Sequence, residues 1–222
     1  MFRDTQGNKG GAVYFTDCSP ALVLDCAFMT SSAASSGGAI YLHRNNTAMS
    51  ILNCDFLNTS SARHGGAVFL NDVNRNVTIF GCTFSEGWSG DRGGVIYFSK
   101  YNVNMEISNC IFVDSMAVGD GGALYVDVNN NLMSISNCLF LRVFAGTAGG
   151  AVYLRLDNEY LAIADCTFTN TSAGKEAGAV HLQNSNSYAT MTVLILLAAR
   201  FRTRGRATMA ARYIFIKTTF AC

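Results

Sequence analysis

The chain has 222 residues, half of them apolar, with 21 Gly and a single Pro, Pro20. Scarce Pro fits a fold built on ladder hydrogen bonds, which Pro would interrupt. Over residues 1–190 there are 10 Lys plus Arg against 15 Asp plus Glu, a net charge of about −5, which excludes a nucleic-acid-binding body.

In chain order, Met1 leads into repeated sequence within ten residues, with no charged-then-apolar signal region before it. The expectation is therefore either a segment of a longer surface protein or an intracellular chain, and Asn-x-Ser/Thr sequons in the repeats favour the segment. Gly-Gly pairs follow at Gly10, Gly37, Gly65, Gly93, Gly121 and Gly149, with a decayed Ala177-Gly178. Cys26, Cys54, Cys82, Cys110, Cys138 and Cys166 recur every 28 residues, each followed two places later by Phe28, Phe56, Phe84, Phe112, Phe140 or Phe168. A unit of that size cannot bury its own apolar face and is stabilised by stacking on its neighbours.

Within the unit that begins at Gly37, three short β-like stretches are expected, at residues 39–42, 49–52 and 54–57, divided by Asn, Ser, Gly and charged residues. Apolar residues alternate with period two and none shows helical spacing. A leucine-rich repeat would need an LxxLxLxxN framework and a propeller blade roughly 40 residues. Three strands and three corners in 28 residues leave an all-β parallel β-helix solenoid of six to seven coils. Ile51 and Cys54 are three apart yet both apolar, so a bend lies between them, at a position held by Asp25, Asn53, Gly81, Asn109, Asn137 and Asp165. Those residue types tolerate left-handed backbone, and their stacked side chains are expected to form an amide and carboxylate ladder.

The segments GGAIYL, GGAVFL, GGVIYF, GGALYV and GGAVYL, with FLNTSSA at residues 56–62 and FTNTSAG at 168–174, resemble the GGAI and FxxN repeats of chlamydial polymorphic outer-membrane proteins. They are equally similar to the wider right-handed, pectin-lyase-like β-helix repeats of protist and bacterial surface proteins. The resemblance covers about residues 7–193; the spacing here is FxN, and no autotransporter barrel follows. It implies a right-handed coil, an extracellular or cell-surface setting, and adhesion as the commonest role.

In the Gly-Gly strand the inward set is Val13, Ile40, Val68, Ile96, Leu124, Val152 and Val180. The alternate residues, Tyr14, Tyr41, Phe69, Tyr97, Tyr125, Tyr153 and His181, are expected to face out as a stripe of rings that binds sugars or a protein partner, or that stacks on itself. For catalysis, a β-helix lyase or hydrolase needs clustered carboxylates. The nearest residues are Asp91, Arg92, Asp120, Arg63 and His64, which fall out of register because 28 after Asp91 is Gly119. No catalytic residue is assigned, and the expected role is non-enzymatic adhesion, glycan or protein binding, or scaffolding, with a fragment of a polysaccharide lyase or glycoside hydrolase as the alternative.

The six periodic cysteines are expected as a reduced, inward ladder, with disulfides between adjacent coils as the alternative. No cofactor or metal is expected, since His43, His64 and His181 do not recur at ligand spacing. Four Asn-x-Ser/Thr sequons, at Asn45, Asn58, Asn76 and Asn170, fall in turns. The repeat domain is placed at residues 1–193. Residues 194–222 form a tail with Arg200, Arg202, Arg204, Arg206, Arg212 and Lys217 and no acidic residue, where the period would call for Cys and Phe but Leu194 and Leu196 stand. The run 193–199 is too short to span a bilayer. A basic arm or a membrane-surface helix is one reading of this tail, and a truncated or out-of-frame end the preferred one.

Overall fold

The computed structural model describes residues 1–183, 186, 188–192, 195–197, 199–201, 209–211 and 218–219. The expected solenoid is there, with about seven coils and one more strand per coil than the sequence indicates. In the coil at 65–92 the chain runs through Val68–Asp72, Arg75–Phe80, Thr83–Ser85 and a two-residue strand, Trp88–Ser89. Each strand type stacks into its own sheet, here called the Gly-Gly, long, Phe and short sheets. Pairing between coils is parallel throughout the repeat, and the register is 28: Phe69 pairs Tyr97, Ile79 pairs Ile107, Phe84 pairs Phe112 and Trp88 pairs Met116. The irregular first interval is absorbed early. Phe2 pairs Phe28, the register shifts between Gly7 and Lys9, Val13 pairs Ile40, and Ala21 pairs Met49 at the full period.

The fourth strand escaped the sequence because it is short and its inward places hold Ala or Ser, at Ala33, Ser61, Ser89, Ala117 and Ala145. Larger residues fill the rest of the interior. Phe28, Phe56, Phe84, Phe112, Phe140 and Phe168 are fully buried and stack with centroids 4.6–5.0 Å apart. Beside them run Ile51, Ile79, Ile107, Ile135 and Ile163, and the expected inward row from Ile40 to Val152.

The corners use left-handed backbone. The residue before each cysteine has φ between 51° and 65°, so the bend lies where the apolar phase required it. At the Gly-Gly corner, Gly93 has φ 63°, and a Cβ on Gly94 would collide with the carbonyl oxygens of Gly122 and Met116. Only Gly lets the corner pass that close to the short strand and to the next coil.

The buried amide ladder is not in the row before the cysteines, whose Asn53, Asn109 and Asn137 are exposed. It lies one corner earlier, between the Gly-Gly and long sheets, at Asn46, Asn74, Asn102, Asn130 and Asn158. The Nδ2 of Asn74 donates to Oδ1 of Asn102 at 2.9 Å, and that of Asn102 to Oδ1 of Asn130 at 2.8 Å. The same Oδ1 atoms accept the backbone N–H one coil back, at 3.1 and 3.2 Å. The inward-turned corner thereby satisfies its polar groups without water. The signal was present, as Asn at 46, 74, 102, 130, 158 and 186 is itself a run at the period.

Strand Ile195–Leu197 pairs Thr167–Thr169, with Leu196 in register with Phe168, and Ala199–Phe201 pairs Ser172 through Arg200. Two antiparallel pairs follow, Ala199–Phe201 with Met209–Ala211 and Thr190–Thr192 with Thr218–Thr219. Arg202, Arg204, Arg206, Arg212, Lys217 and Leu194 lie outside the described residues. Among the described residues, no helix is long and apolar enough to cross a membrane.

Candidate functional site

The stripe of rings points away from the coil interior, as expected, and forms a cluster of its own, but it does not face solvent. Tyr41, Phe69, Tyr97, Tyr125 and Tyr153 are 1–8% exposed, and only Tyr14 at 45% is open. The rings stack on one another at 4.8–5.3 Å, ending on His181. The loop before each Gly-Gly pair folds over them. His64 stacks on Tyr97 at 4.7 Å, Arg92 lies 5.4 Å over the Tyr125 ring, and Lys9 lies 5.3 Å over that of Tyr41. A ring covered in this way has no free face for a sugar. Its hydroxyl is engaged too: Tyr97 donates to Asp127 at 2.8 Å, an acceptor shared with Arg155 at 2.7 Å. Burial pushes the Tyr41 phenol up to about 12 and raises Tyr97 and Tyr125 further.

That covering loop gathers the catalytic candidates despite their sequence offset. His64 and Arg92 occupy equivalent places in successive coils. Arg92 Nε lies 3.8 Å from Asp91 and 3.6 Å from Asp120, and His64 Nδ1 lies 3.7 Å from Asp91. These are ion-pair distances longer than hydrogen bonds, and among the described residues neither Nε of Arg92 nor Nδ1 of His64 has a hydrogen-bond partner. Burial holds the Asp120 carboxyl above the usual carboxylate range even beside Arg92, and burial lowers His64. With its guanidinium over Tyr125 and its Nε between two carboxylates, Arg92 serves first to cover the ring ladder. Arg63 joins the group through its carbonyl oxygen, which accepts the backbone N–H of Asp91 at 2.8 Å and of Arg92 at 3.2 Å, and through the field it exerts on His64.

The periodic thiols face inward as free cysteines, with Cys54, Cys82, Cys110, Cys138 and Cys166 buried and Cys18 and Cys26 half-buried. Cys110 donates to the carbonyls of Ser108 at 3.3 Å and Ile79 at 3.6 Å, and its neighbours repeat the pattern. The adjoining thiol and burial push Cys54 up, and Cys82 to about 12. Among the described residues, no group of three or more His, Cys, Asp or Glu could hold a metal ion.

Open apolar side chains lie elsewhere: singly along the long sheet, at Leu22, Leu24, Phe80 and Leu132, and as a continuous row on a face the alternation in the sequence did not single out. In the short sheet the outward row reads Ser60, Trp88, Met116, Phe144, Ser172, and its three central members are 38, 37 and 40% exposed. The adjoining Phe sheet carries Ile111 and Leu139 in one outward row and Val113 and Leu141 in the next. On either side these rows are polar, at Thr83 and Ser85 and at Thr167 and Thr169, with Leu57 and Met29 beyond Ser85 apolar again. Between the two sheets runs a row of left-handed corner residues, Asn58, Glu86, Asp114, Arg142 and Asn170. Arg142 donates to both oxygens of Asp114, at 2.6 and 2.7 Å, which holds that carboxyl below the usual range. This is a patch of mixed aromatic, thioether and aliphatic side chains, centred on the coils of Trp88, Met116 and Phe144 and crossed by one ion pair. Its signal in the sequence was the break in the polar type at positions 88, 116 and 144.

Fold and face together define a parallel β solenoid that presents a lateral apolar surface. The family model described as "Right handed beta helix region" matches residues 38–194, well over half of the chain, and the protein belongs to that family. Searches of the curated proteins and of the solved structures find no match.

Proposed function

We propose that this protein is a non-enzymatic β-helix segment of a surface or secreted protein, acting in adhesion or as a scaffold through the face around Trp88, Met116 and Phe144. The observation that carries the reading is the run of large exposed apolar side chains, Trp88, Met116 and Phe144, in one row through three successive central coils. Large aromatic and thioether groups are enriched at binding surfaces and costly to leave in water without a partner. The similarity of the Gly-Gly and Phe segments to surface-protein repeats supports the setting. The test is retention on a printed glycan array and on intact cells, comparing wild type with the triple variant W88S/M116S/F144S. Loss of retention with unchanged circular dichroism supports the face, and equal retention removes it.

The Asp91, Arg92 and Asp120 group favours a second reading, a polysaccharide-degrading fragment. Product release from polygalacturonate by wild type, abolished in Asp120→Asn, would establish it; no release leaves the first reading in place.

A further inference from the structure

We infer that the partner of this face is a second copy of the same chain, docked antiparallel about a two-fold axis that lies in the interface and perpendicular to the solenoid axis. The inference rests on the face proposed above. Under that operator each row meets itself with its rungs reversed, so an isologous contact requires rows that read compatibly from both ends. The rows here do so about the midpoint between the Asp114 and Arg142 rungs.

The charges select that midpoint. Asp114 and Arg142 sit in successive coils of one exposed row, so reversal sets the carboxylate of one copy against the guanidinium of the other, twice. Centring the axis on either residue would set like charges together, which costs affinity. With the same centre, Ile111 meets Leu139 and Val113 meets Leu141 on the Phe sheet, while Thr83 meets Thr167 and Ser85 meets Thr169 at the edges. On the short sheet Met116 meets Phe144, a thioether against a ring, and Trp88 lies over Ser172. In the corner row Glu86 meets the amide of Asn170. Apolar faces apolar in the central rungs, polar faces polar at the edges of the Phe sheet and acid faces base in the corner row, with Trp88 over Ser172 the one mixed pair. A heterologous partner would not require that symmetry.

The test is molar mass by light scattering across a concentration series, with the full chain. Wild type is expected at twice the mass of a single chain, and W88S/M116S/F144S at the single mass. D114R and R142D each place like charges across the axis, so each alone is expected to be monomeric. Mixed in equal amounts they should regain the twofold mass, because the two added charges then face each other. The double swap D114R/R142D should also dimerise, which separates docking from any effect of the ion pair within one chain. A monomeric wild type, dimeric single variants, or a mixture that stays monomeric would each overturn the proposal. If wild type is monomeric yet the triple variant loses retention on the glycan array, the face stands and self-docking falls. If retention is also unchanged, both fall.

Discussion

Single side chains in this solenoid act through their column, because each has a copy 28 residues away on either side. Phe112 stacks between Phe84 and Phe140 with no exposed surface, so Phe112→Ala should destabilise the chain by about 3 to 5 kcal/mol on urea unfolding. A loss under about 1 kcal/mol would show that the neighbouring rings close the gap. Asn102 is constrained differently. Its Oδ1 accepts both the backbone N–H and the Nδ2 of Asn74, and its own Nδ2 bonds Asn130 and the carbonyl of Asn71. Replacement by Leu, close in volume, strands at least two buried donors of Asn74 and should cost about 3 kcal/mol; a neutral result would mean that water enters the corner. The reverse effect is expected at Val73. This β-branched residue is held at φ 59° in the row that includes Asn45 and Asn129, and left-handed backbone costs such a side chain about 1 to 2 kcal/mol. Val73→Asn should therefore raise the urea midpoint, and a lowered midpoint would show that the side-chain packing of Val73 outweighs the backbone relief.

At the level of strands and sheets, legibility followed burial. The inward rows, the bend before the cysteines and the Gly-Gly corners were readable because each is a fixed chemical demand repeated in every coil: apolar volume inside, left-handed backbone at the turn, and no Cβ where Gly94 approaches Gly122. The short strand was not readable, since two residues give no period and its inward places accept Ser or Ala alike. The outer face was harder still. Alternation says which way Tyr97 points from the coil, but not that His64 from the preceding loop folds over it. The same alternation passes over Trp88, whose row is Ser in the coils before it. The Asn ladder was missed for another reason, as polar residues in a corner are ordinarily read as solvated. Depth also separates the cysteines. Cys54, Cys82, Cys110, Cys138 and Cys166 lie inside the coil, whereas Cys18 and Cys26 are half-buried in the first coils. Under native conditions an alkylating reagent at neutral pH should modify Cys18 and Cys26 and spare the five, because attack needs an accessible thiolate and the five are closed off from the reagent inside the coil. Rapid native labelling of Cys110 would contradict the closed interior.

For the whole molecule, stability is a sum of coils and of the interfaces between them, so the chain should tolerate the loss of one entire period and no fraction of it. Deleting residues 93–120 joins Arg92 to Gly121 and leaves every column intact: Phe84 would stack on Phe140, Asn74 would bond Asn130, and the Gly-Gly corner would be rebuilt from equivalent residues. That variant should remain β-rich by circular dichroism and unfold in one transition at a lower urea midpoint, having lost one coil and one interface. Deleting only residues 93–106 joins Arg92 to Ile107 and places a long-sheet strand where a Gly-Gly strand must pair, shifting every later side chain out of its column. It should not fold. The intact-period deletion also removes Asp114, Met116 and Ile111 while keeping Trp88 and Phe144, so it separates architecture from recognition. A folded, monomeric product that no longer binds would place the function in the identity of the central coils. A folded product that still dimerises would show that Glu86, brought next to Arg142 with Trp88 next to Phe144, replaces Asp114 about the axis, and that one acid-base step on this face suffices.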